Sequence, residues 1–201
     1  EEKLKKTIYF SDQLKLPKVA VIMPFYNNQD TIRDALLSLI NQSYQNMEII
    51  LIDDGSTDNS ISKIKDLIEN QDIKIFKDGK NRGLIFRLNQ MIDLTDAKYI
   101  ARMDADDLSH PNRIEIQIKT LIKGRYDIVS TAAGVMDKKS KIKGIRDFEN
   151  QPTLSDFLKY GGLIHASILF KREILDEHKY NENFYRAEDR EFFLKIIKKY
   201  N

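Results

Sequence analysis

Four short apolar runs recur along the chain and predict buried β-strands. They cover residues 19–23, 48–52, 99–103 and 127–131. Each run is too short for a helix and too continuous for a strand that keeps one face in water. Strands that are buried on both faces of a parallel sheet have this pattern. A weaker, alternating run at residues 73–76 predicts an edge strand.

Segments with apolar residues at helical spacing lie between these runs. The four predicted helices are centred on residues 32–40, 61–68, 84–92 and 114–122. Ser56 or Thr57 is the expected cap of the second helix. In the fourth, Ser109 is the expected cap, Pro111 lies in the first turn and Gly124 marks the end. This alternation predicts an α/β fold with a mostly parallel sheet and helices on both faces.

The second half of the chain has a less regular pattern. Residues 137–144 are rich in Lys, Ser and Gly and predict an exposed hairpin or loop. A short helix is expected at 153–160, followed by a strand at 165–170 and a helix from Lys171. A last helix is expected from near Ala187 to the end. Because the sequence shows no internal repeat and no low-complexity linker, we expect one domain, which leaves open that the chain is the front part of a longer protein.

Composition narrows the class of protein. The sequence is 41% hydrophobic and 32% charged, with a net charge of +2, which is ordinary for a soluble globular protein and untypical of a nucleic-acid binder. It has no cysteine, which excludes disulfides, thiolate metal sites and cysteine nucleophiles. There is no apolar run of membrane-spanning length and no signal-peptide core at the start. We expect a cytoplasmic protein, and its lysine-rich surfaces leave peripheral contact with anionic lipid open.

Polar residues follow three of the four predicted buried strands. The segments are Pro24-Phe-Tyr-Asn27, Asp53-Asp-Gly-Ser56 and Asp104-Ala-Asp-Asp107. The carboxyl ends of strands in an open α/β sheet line one crevice, where ligands bind. Residues about 80 positions apart are therefore expected to converge on one site.

The chemistry of these segments favours a divalent cation and a phosphate ligand. Clustered carboxylates repel one another unless a cation or hydrogen bonds compensate. Oxygen ligands without His or Cys suit Mg²⁺ or Mn²⁺, which share their site with substrate phosphates. Neither glycine-rich phosphate loop is present, so the metal is expected to neutralise the phosphate. Tyr26 is placed to stack on a nucleobase, and Asp54 to accept a hydrogen bond from a base or a ribose.

Several segments, in order and at similar spacing, resemble glycosyltransferase family 2. They are Val21–Asn27, Ile52–Asp58, Asn81-Arg-Gly83, Met103–Asp107, His165–Glu173 and Ala187-Glu-Asp189. Each segment alone is weak, but together they are specific, and the similarity covers roughly residues 18–200. The resemblance implies a GT-A fold and an inverting transfer of a sugar from a nucleotide-diphosphate donor.

The resemblance also implies roles for individual residues. The expected donor contacts are Pro24, Tyr26 and Asp54 at the nucleoside, Asp104 at the ribose or sugar, and His165 near the diphosphate or metal. Asp106 is the expected ligand of Mn²⁺ or Mg²⁺, and Asp189 the expected catalytic base. Either Arg82 or Arg87 is expected to meet a phosphate or the base, and the sequence does not choose between them.

The resemblance further implies the organisation and partners of the chain. Residues 1–17 are expected to be an N-terminal extension and 18–201 a single GT-A domain. Within it, a nucleotide-sugar half spans about 18–130 and a smaller acceptor-side region about 131–201. The expected donor is a UDP-sugar, and the expected acceptor is a glycan or a lipid-linked molecule in the synthesis of a bacterial surface polysaccharide. The sequence leaves the oligomeric state open.

Two alternatives remain at this point, and a third is rejected. A phosphatase of the haloacid dehalogenase type also has Asp-x-Asp after a strand, but normally after the first strand, and Leu108 stands where Thr or Val is expected. A non-catalytic binding module is the second. A calcium loop from Asp104 to Glu115 lacks the central Gly and contains Pro111, and we reject it. The family pattern is also broken by Asp189-Arg-Glu191, which weakens the transfer of roles on the acceptor side.

Overall fold

The predicted buried strands form a six-stranded sheet in the computed structural model, which describes residues 17–137, 140–148, 153–184 and 187–200. The strands are β1 Val19–Phe25, β2 Met47–Asp53, β3 Ile73–Lys77, β4 Tyr99–Arg102, β5 Ile128–Val129 and β8 Leu169–Lys171. Their order in the sheet is β3-β2-β1-β4-β8-β5. Strands β1 to β4 are parallel to one another, whereas β8 is antiparallel to both β4 and β5. The prediction of a mostly parallel sheet is confirmed.

Seven α-helices are present in the described parts of the chain, and they cover both faces of the sheet. They are α1 Ile32–Ile40, α2 Ser60–Asn70, α3 Leu84–Gln90, α4 Arg113–Gly124, α5 Leu154–Tyr160, α6 Arg172–Glu177 and α7 Glu188–Tyr200. A 3₁₀ turn, Met91–Leu94, continues α3. The helices expected from Lys171 and near Ala187 therefore begin one residue later, at Arg172 and Glu188.

Strand β1 is apolar at every position because both of its faces are buried. Val19, Val21 and Met23 belong to one core, which includes the inner faces of α1, α2 and α4. Ala20 and Ile22 belong to a second core on the opposite face, with residues of α3, α5, α6 and α7. Each large aliphatic side chain that is fully buried here contributes roughly 1.5–3 kcal/mol. The chain is thus a three-layer sandwich of helices, sheet and helices.

The far edge of the sheet differs from the sequence prediction. The strand expected at residues 127–131 is reduced to Ile128–Val129, which is only half-buried because it pairs with β8 alone. The prediction of a strand at 165–170 is wrong for its first half, because the strand β8 begins only at Leu169. His165–Ser167 forms a 3₁₀ turn, in which the Ser167 hydroxyl donates to the Ile164 carbonyl at 3.1 Å.

The predicted helix starts are also corrected. Helix α2 begins after Asn59, because the Ser56 hydroxyl instead accepts a hydrogen bond from the Asn27 backbone N–H at 3.0 Å. Thr57 belongs to the same loop, since its backbone N–H donates to the Asn27 side chain at 2.8 Å. These two residues tie two loops together rather than capping a helix.

Helix α4 starts later than expected as well. The Ser109 hydroxyl accepts from the Gln42 side-chain amide at 3.1 Å, so it is not a cap, and Pro111 precedes the helix. The expected stop is confirmed at Gly124, the last helical residue, while Arg125 adopts the left-handed conformation with φ 54°.

Of the exposed hairpin or loop predicted at residues 137–144, the structure shows a hairpin, although residues 138 and 139 lie outside the described residues. Strands β6 Ala133–Met136 and β7 Ile142–Arg146 pair antiparallel and form a separate two-stranded sheet. Every residue of β7 is exposed. The expected extension at 1–17 lies almost wholly outside the described residues, of which it includes only Pro17. In the part of the chain that the structure describes, no helix has the length and apolarity needed to span a bilayer.

Candidate active site

The carboxyl ends of β2, β1 and β4 lie side by side at the point where the strand order reverses. From β1 the chain passes to β2 and β3 on one side, then returns to β4 on the other. The Asp54 N–H donates to the Phe25 carbonyl at 2.9 Å, and the Met103 N–H donates to the Ile22 carbonyl at 3.1 Å. These bonds extend the sheet into the segments that carry the polar residues. Such a switch point is the usual ligand crevice of an α/β sheet.

A cavity of about 330 Å³ opens at this switch point, and we call it the donor cavity. It is lined by six of the candidate residues from the sequence, namely Pro24, Tyr26, Asp54, Arg87, Asp104 and Asp106. Arg82 is not in this lining and instead lines a second cavity. The Tyr26 ring is 46% exposed, so it is not core packing. The convergence of the three strand ends is therefore confirmed.

Asp54 is held rigidly in the wall of the donor cavity. Its carboxylate accepts from the backbone N–H groups of Arg82 at 2.9 Å and Gly83 at 3.0 Å. It also accepts from Arg87 Nε at 2.7 Å. A carboxylate offers roughly four acceptor positions. Three are filled, which leaves one for a ligand.

The two arginines that the sequence could not separate have different environments. The Arg87 side chain is 0% exposed and the Arg82 side chain is 38% exposed. Beyond Asp54, Arg87 donates to Asp78 and the Lys80 carbonyl, each at 2.7 Å, and to Gln90 at 2.9 Å. Its guanidinium is committed to the protein, so Arg87 organises the wall of the site.

Arg82 is the more accessible of the two. It donates to Asp78 at 2.8 Å, and its guanidinium lies 4.8 Å from the centroid of the Phe86 ring. Asp78 therefore receives two arginines, first Arg87 and then Arg82, and they hold the pKa of its carboxyl well below the usual range. Asp78 stays ionised and anchors both cations.

The loop after β2 needs a glycine where it approaches the loop before α3. Gly55 has φ 78°, in the left-handed region. A Cβ there would lie 2.7 Å from the Lys80 carbonyl carbon and 2.8 Å from the Asn81 nitrogen. Because these neighbouring atoms belong to the backbone and cannot move aside easily, only glycine fits here without displacing the loop before α3. This close approach brings the Arg82 and Gly83 N–H groups to Asp54.

The carboxylates of the acidic segment after β4 have different environments. Arg102, buried in the last position of β4, donates to Asp104 with two nitrogens, at 2.5 and 3.3 Å. Asp106 is exposed. The pKa of Asp107 is raised, first by loss of hydration and then by the nearby carboxylates of Asp104 and Asp106. Negative charge is therefore concentrated at the rim of the donor cavity.

The donor set fits a metal ion that is shared with a ligand. Among the described residues, no group of three or more His, Cys, Asp or Glu is placed to hold a metal by itself. Mg²⁺ is bound in proteins through one or two carboxylates together with substrate phosphates and water. Asp106 is a hard oxygen donor at the cavity, whereas Asp104 is tied to Arg102. The residues present fit such an ion with Asp106 as its protein ligand.

His165 is not among the residues that line the donor cavity. Its Nε2 lies 2.8 Å from the Tyr180 hydroxyl, and its ring packs edge-on against Phe193 at 5.8 Å. Burial, assisted by the charge of Arg102, lowers its pKa well below the ordinary value. The ring is therefore neutral at pH 7.

Asp189 also lies outside the lining of the donor cavity. It is half-buried in the first turn of α7, and its carboxylate accepts from the Arg190 N–H at 2.7 Å. The preceding residue, Glu188, lines a second cavity of about 400 Å³. Gly83 and Leu84 line both cavities, so the two are adjacent.

Two positioning residues were missed by the sequence reasoning. Arg102 aligns Asp104, and Tyr180 holds His165. An arginine within an otherwise apolar run, two positions before a carboxylate, was a usable signal for Arg102. Burial raises the pKa of Tyr180, and the charges of Asp189 and Glu188 add to this effect. No local pattern marks Tyr180 for such a role.

The fold and the site define an α/β protein with a ligand crevice at its topological switch point. The chain belongs to glycosyl transferase family 2, whose sequence model matches residues 20–179. The family assignment excludes the phosphatase alternative.

Two relatives illustrate the family. The glucosyltransferase WfgD of Escherichia coli is 27% identical over 190 residues, which cover 91% of this chain and 71% of WfgD. The EpsE protein of Bacillus subtilis strain 168 is 32% identical over 158 residues, which cover 77% of this chain and 56% of EpsE.

Solved structures show the same GT-A fold. Staphylococcus aureus TarS 1-349, in complex with UDP-GlcNAc, superposes with a TM-score of 0.74 at 20% identity and covers 89% of this chain. The mannosyltransferase PcManGT from Pyrobaculum calidifontis, with GDP-Man and Mn²⁺, gives 0.69 at 21% identity and covers 90%. The match spans 52% of each of these two chains.

Proposed function

We propose that the protein is an inverting glycosyltransferase, which moves a sugar from a UDP-sugar to a hydroxyl of a glycan or a lipid-linked acceptor. The observation that carries this proposal is the donor cavity, where Tyr26, Asp54, Asp104 and Asp106 converge. In this proposal, residues 18–130 form the donor half and 131–201 contribute to the acceptor side. The names of relatives support it, since WfgD is a UDP-Glc transferase that acts on a diphosphoundecaprenol-linked GlcNAc.

Nucleoside binding uses one exposed and one buried contact. The exposed Tyr26 ring offers a face on which a base can stack. Asp54, fixed by three hydrogen bonds, has one acceptor position left for a base N–H or a ribose hydroxyl. Because Asp54 does not need to be ordered on binding, this contact costs little conformational entropy. Arg87 lines the donor cavity, but its guanidinium is engaged by Asp54 and Asp78. Arg82 is 38% exposed and lines the adjacent second cavity, so it is the arginine that can leave Asp78 and approach a phosphate or the base.

The diphosphate lies over the acidic segment in this mechanism. Asp106 would hold Mn²⁺ or Mg²⁺, and Asp104, whose carboxylate is fixed by Arg102, would contact the ribose or the sugar. When bound, the ion supplies positive charge that stabilises the departing nucleoside diphosphate. His165 is neutral and bonded to Tyr180, so it contributes no cation to the phosphates.

The transfer itself is a single displacement. The acceptor oxygen forms a bond to the anomeric carbon as the bond from that carbon to the diphosphate oxygen breaks. Asp189 takes the hydroxyl proton as general base, which accounts for roughly 10²-fold or more in rate. Attack from the face opposite the leaving group inverts the anomeric centre. The second cavity, beside Glu188, provides the approach for the acceptor.

Calorimetric titration of UDP with and without Mn²⁺ tests the donor site. The Asp106→Ala variant is expected to lose the Mn²⁺-dependent part of UDP affinity. Asp96→Ala is the matched control, since that side chain is 93% exposed and lies just before the amino end of β4, away from the donor cavity. If Mn²⁺ strengthens UDP binding equally in Asp106→Ala and in the wild type, the metal assignment fails. Slow hydrolysis of a UDP-sugar by the wild type would support an enzyme, whereas UDP binding without any hydrolysis would support a non-catalytic binding module.

A further inference from the structure

The β6–β7 hairpin carries an apolar face with no protein partner in the described chain. Gly134 pairs with Ile145, and Met136 pairs with Ile142, so these four residues share one face. Met136, Ile142 and Ile145 are 37%, 64% and 77% exposed. The Ile142 side chain leans over Gly134, where an added Cβ would meet it at 3.6 Å. The result is a continuous apolar surface at the outside of the molecule.

The same hairpin concentrates the positive charge of the protein. Residues 137–147 contain five basic and two acidic side chains, a net charge of +3, whereas the whole chain has a net charge of +2. The rest of the protein is therefore slightly acidic. Lys141 is exposed just before β7, and Lys143 and Arg146 are exposed on it. Arg146 pairs with Ala133 and so lies on the face opposite Ile145, and Lys143 makes an ion pair with Asp137 at 3.1 Å.

The combination of an apolar face and surrounding cations points to one occupant. A two-stranded hairpin is marginally stable in water unless something covers its apolar face. A symmetric second copy would bring two basic hairpins against each other, and like charges would repel. An anionic bilayer instead accepts the apolar side chains at its interface and attracts the cations.

We propose that the β6–β7 hairpin docks the protein on anionic phospholipid. Met136, Ile142 and Ile145 enter the interface between headgroups and acyl chains. Lys141, Lys143 and Arg146 contact the lipid phosphates, each adding roughly 5-fold to the affinity at low salt. This proposal does not depend on glycosyl transfer, because it uses no residue of the donor cavity.

Co-sedimentation of the 201-residue chain with vesicles tests the proposal. The wild type is expected to bind vesicles of equal parts phosphatidylcholine and phosphatidylglycerol, to release as salt is raised, and to ignore phosphatidylcholine alone. The double variant Ile142→Ser/Ile145→Ser is expected to bind at least about 10-fold more weakly, because it removes most of the inserted apolar area. An unchanged melting temperature, measured by circular dichroism, serves as the check that this variant is folded.

The control variant makes the same change elsewhere on the surface. Ile116 and Ile122 on α4 are 55% and 45% exposed, and Ile116→Ser/Ile122→Ser is expected to keep full vesicle binding. Three results would overturn the proposal. They are no binding to anionic vesicles, equal loss in both double variants, or a hairpin variant that changes the mass measured by light scattering and leaves vesicle binding intact. The last result would assign the face to a second copy.

Discussion

Removing the Arg87 guanidinium tests the view that this side chain builds the donor site from within. Arg87→Met keeps most of the apolar stem but leaves Asp54, only 6% exposed, with two backbone donors and no cation. Asp78 loses the stronger of its two arginine partners. Breaking a buried ion pair by removing one partner costs about 3–5 kcal/mol. For a domain of this size, that loss lowers the melting temperature by roughly 6–20 °C.

Differential scanning calorimetry measures this loss, and Arg82→Met is its control. Arg82 is partly exposed, makes an ion pair with Asp78 and stacks on Phe86. Its replacement is expected to cost about 1 kcal/mol or less. If the two variants melt within a degree or two of each other, Arg87 does not have the structural role that its hydrogen bonds indicate. A normal melting temperature with weak UDP binding in Arg87→Met would instead make it a ligand contact.

Two further predictions concern the other side of the site. Asp189→Asn is expected to lower turnover by roughly 10²-fold or more while UDP affinity stays unchanged, and wild-type turnover in this variant would remove Asp189 from the mechanism. Because the pKa of His165 is lowered in the folded state, the unfolded chain binds a proton below about pH 6.5 that the native ring resists. Stability therefore falls as pH drops from 7 toward 5, by up to about 1.4 kcal/mol per pH unit from this residue. Urea unfolding of His165→Gln at both pH values should show a smaller fall, and an equal fall would contradict the assignment.

The sequence predicts the fold well where the burial of strand faces alone determines the residue pattern. Residues 19–23 are apolar at every position because both faces of β1 are buried, and no helix of that length would need this pattern. The edge strand at 73–76 alternates because one face meets water. By contrast, Ile128–Val129 is half-buried and pairs with one strand only. The apolar run at 127–131 therefore predicted a longer and more deeply buried strand than the one that forms.

The parts that could not be predicted depend on contacts between distant residues. Ser56 and Ser109 are good caps by type, but each is engaged by a side chain or loop that lies far away in sequence. Arg82 and Arg87 have the same chemistry and nearby positions. Their difference arises because α3 turns Arg87 inward beside Leu88, where it meets acids from the loops after β2 and β3. Tyr180 meets His165 through the packing of α7 against the sheet, which no local spacing encodes.

The late position of the antiparallel strand β8 in the sequence affects how the protein folds during its synthesis. It is the central strand of the second half of the sheet, since it pairs with β4 on one side and β5 on the other. Residues 169–171 leave the ribosome long after β4, and until then β4 has an open edge and β5 has no partner. Unpaired strand edges are templates for aggregation. A product released before residue 171 would contain every residue of the donor cavity and still lack the complete strand that joins β4 to β5.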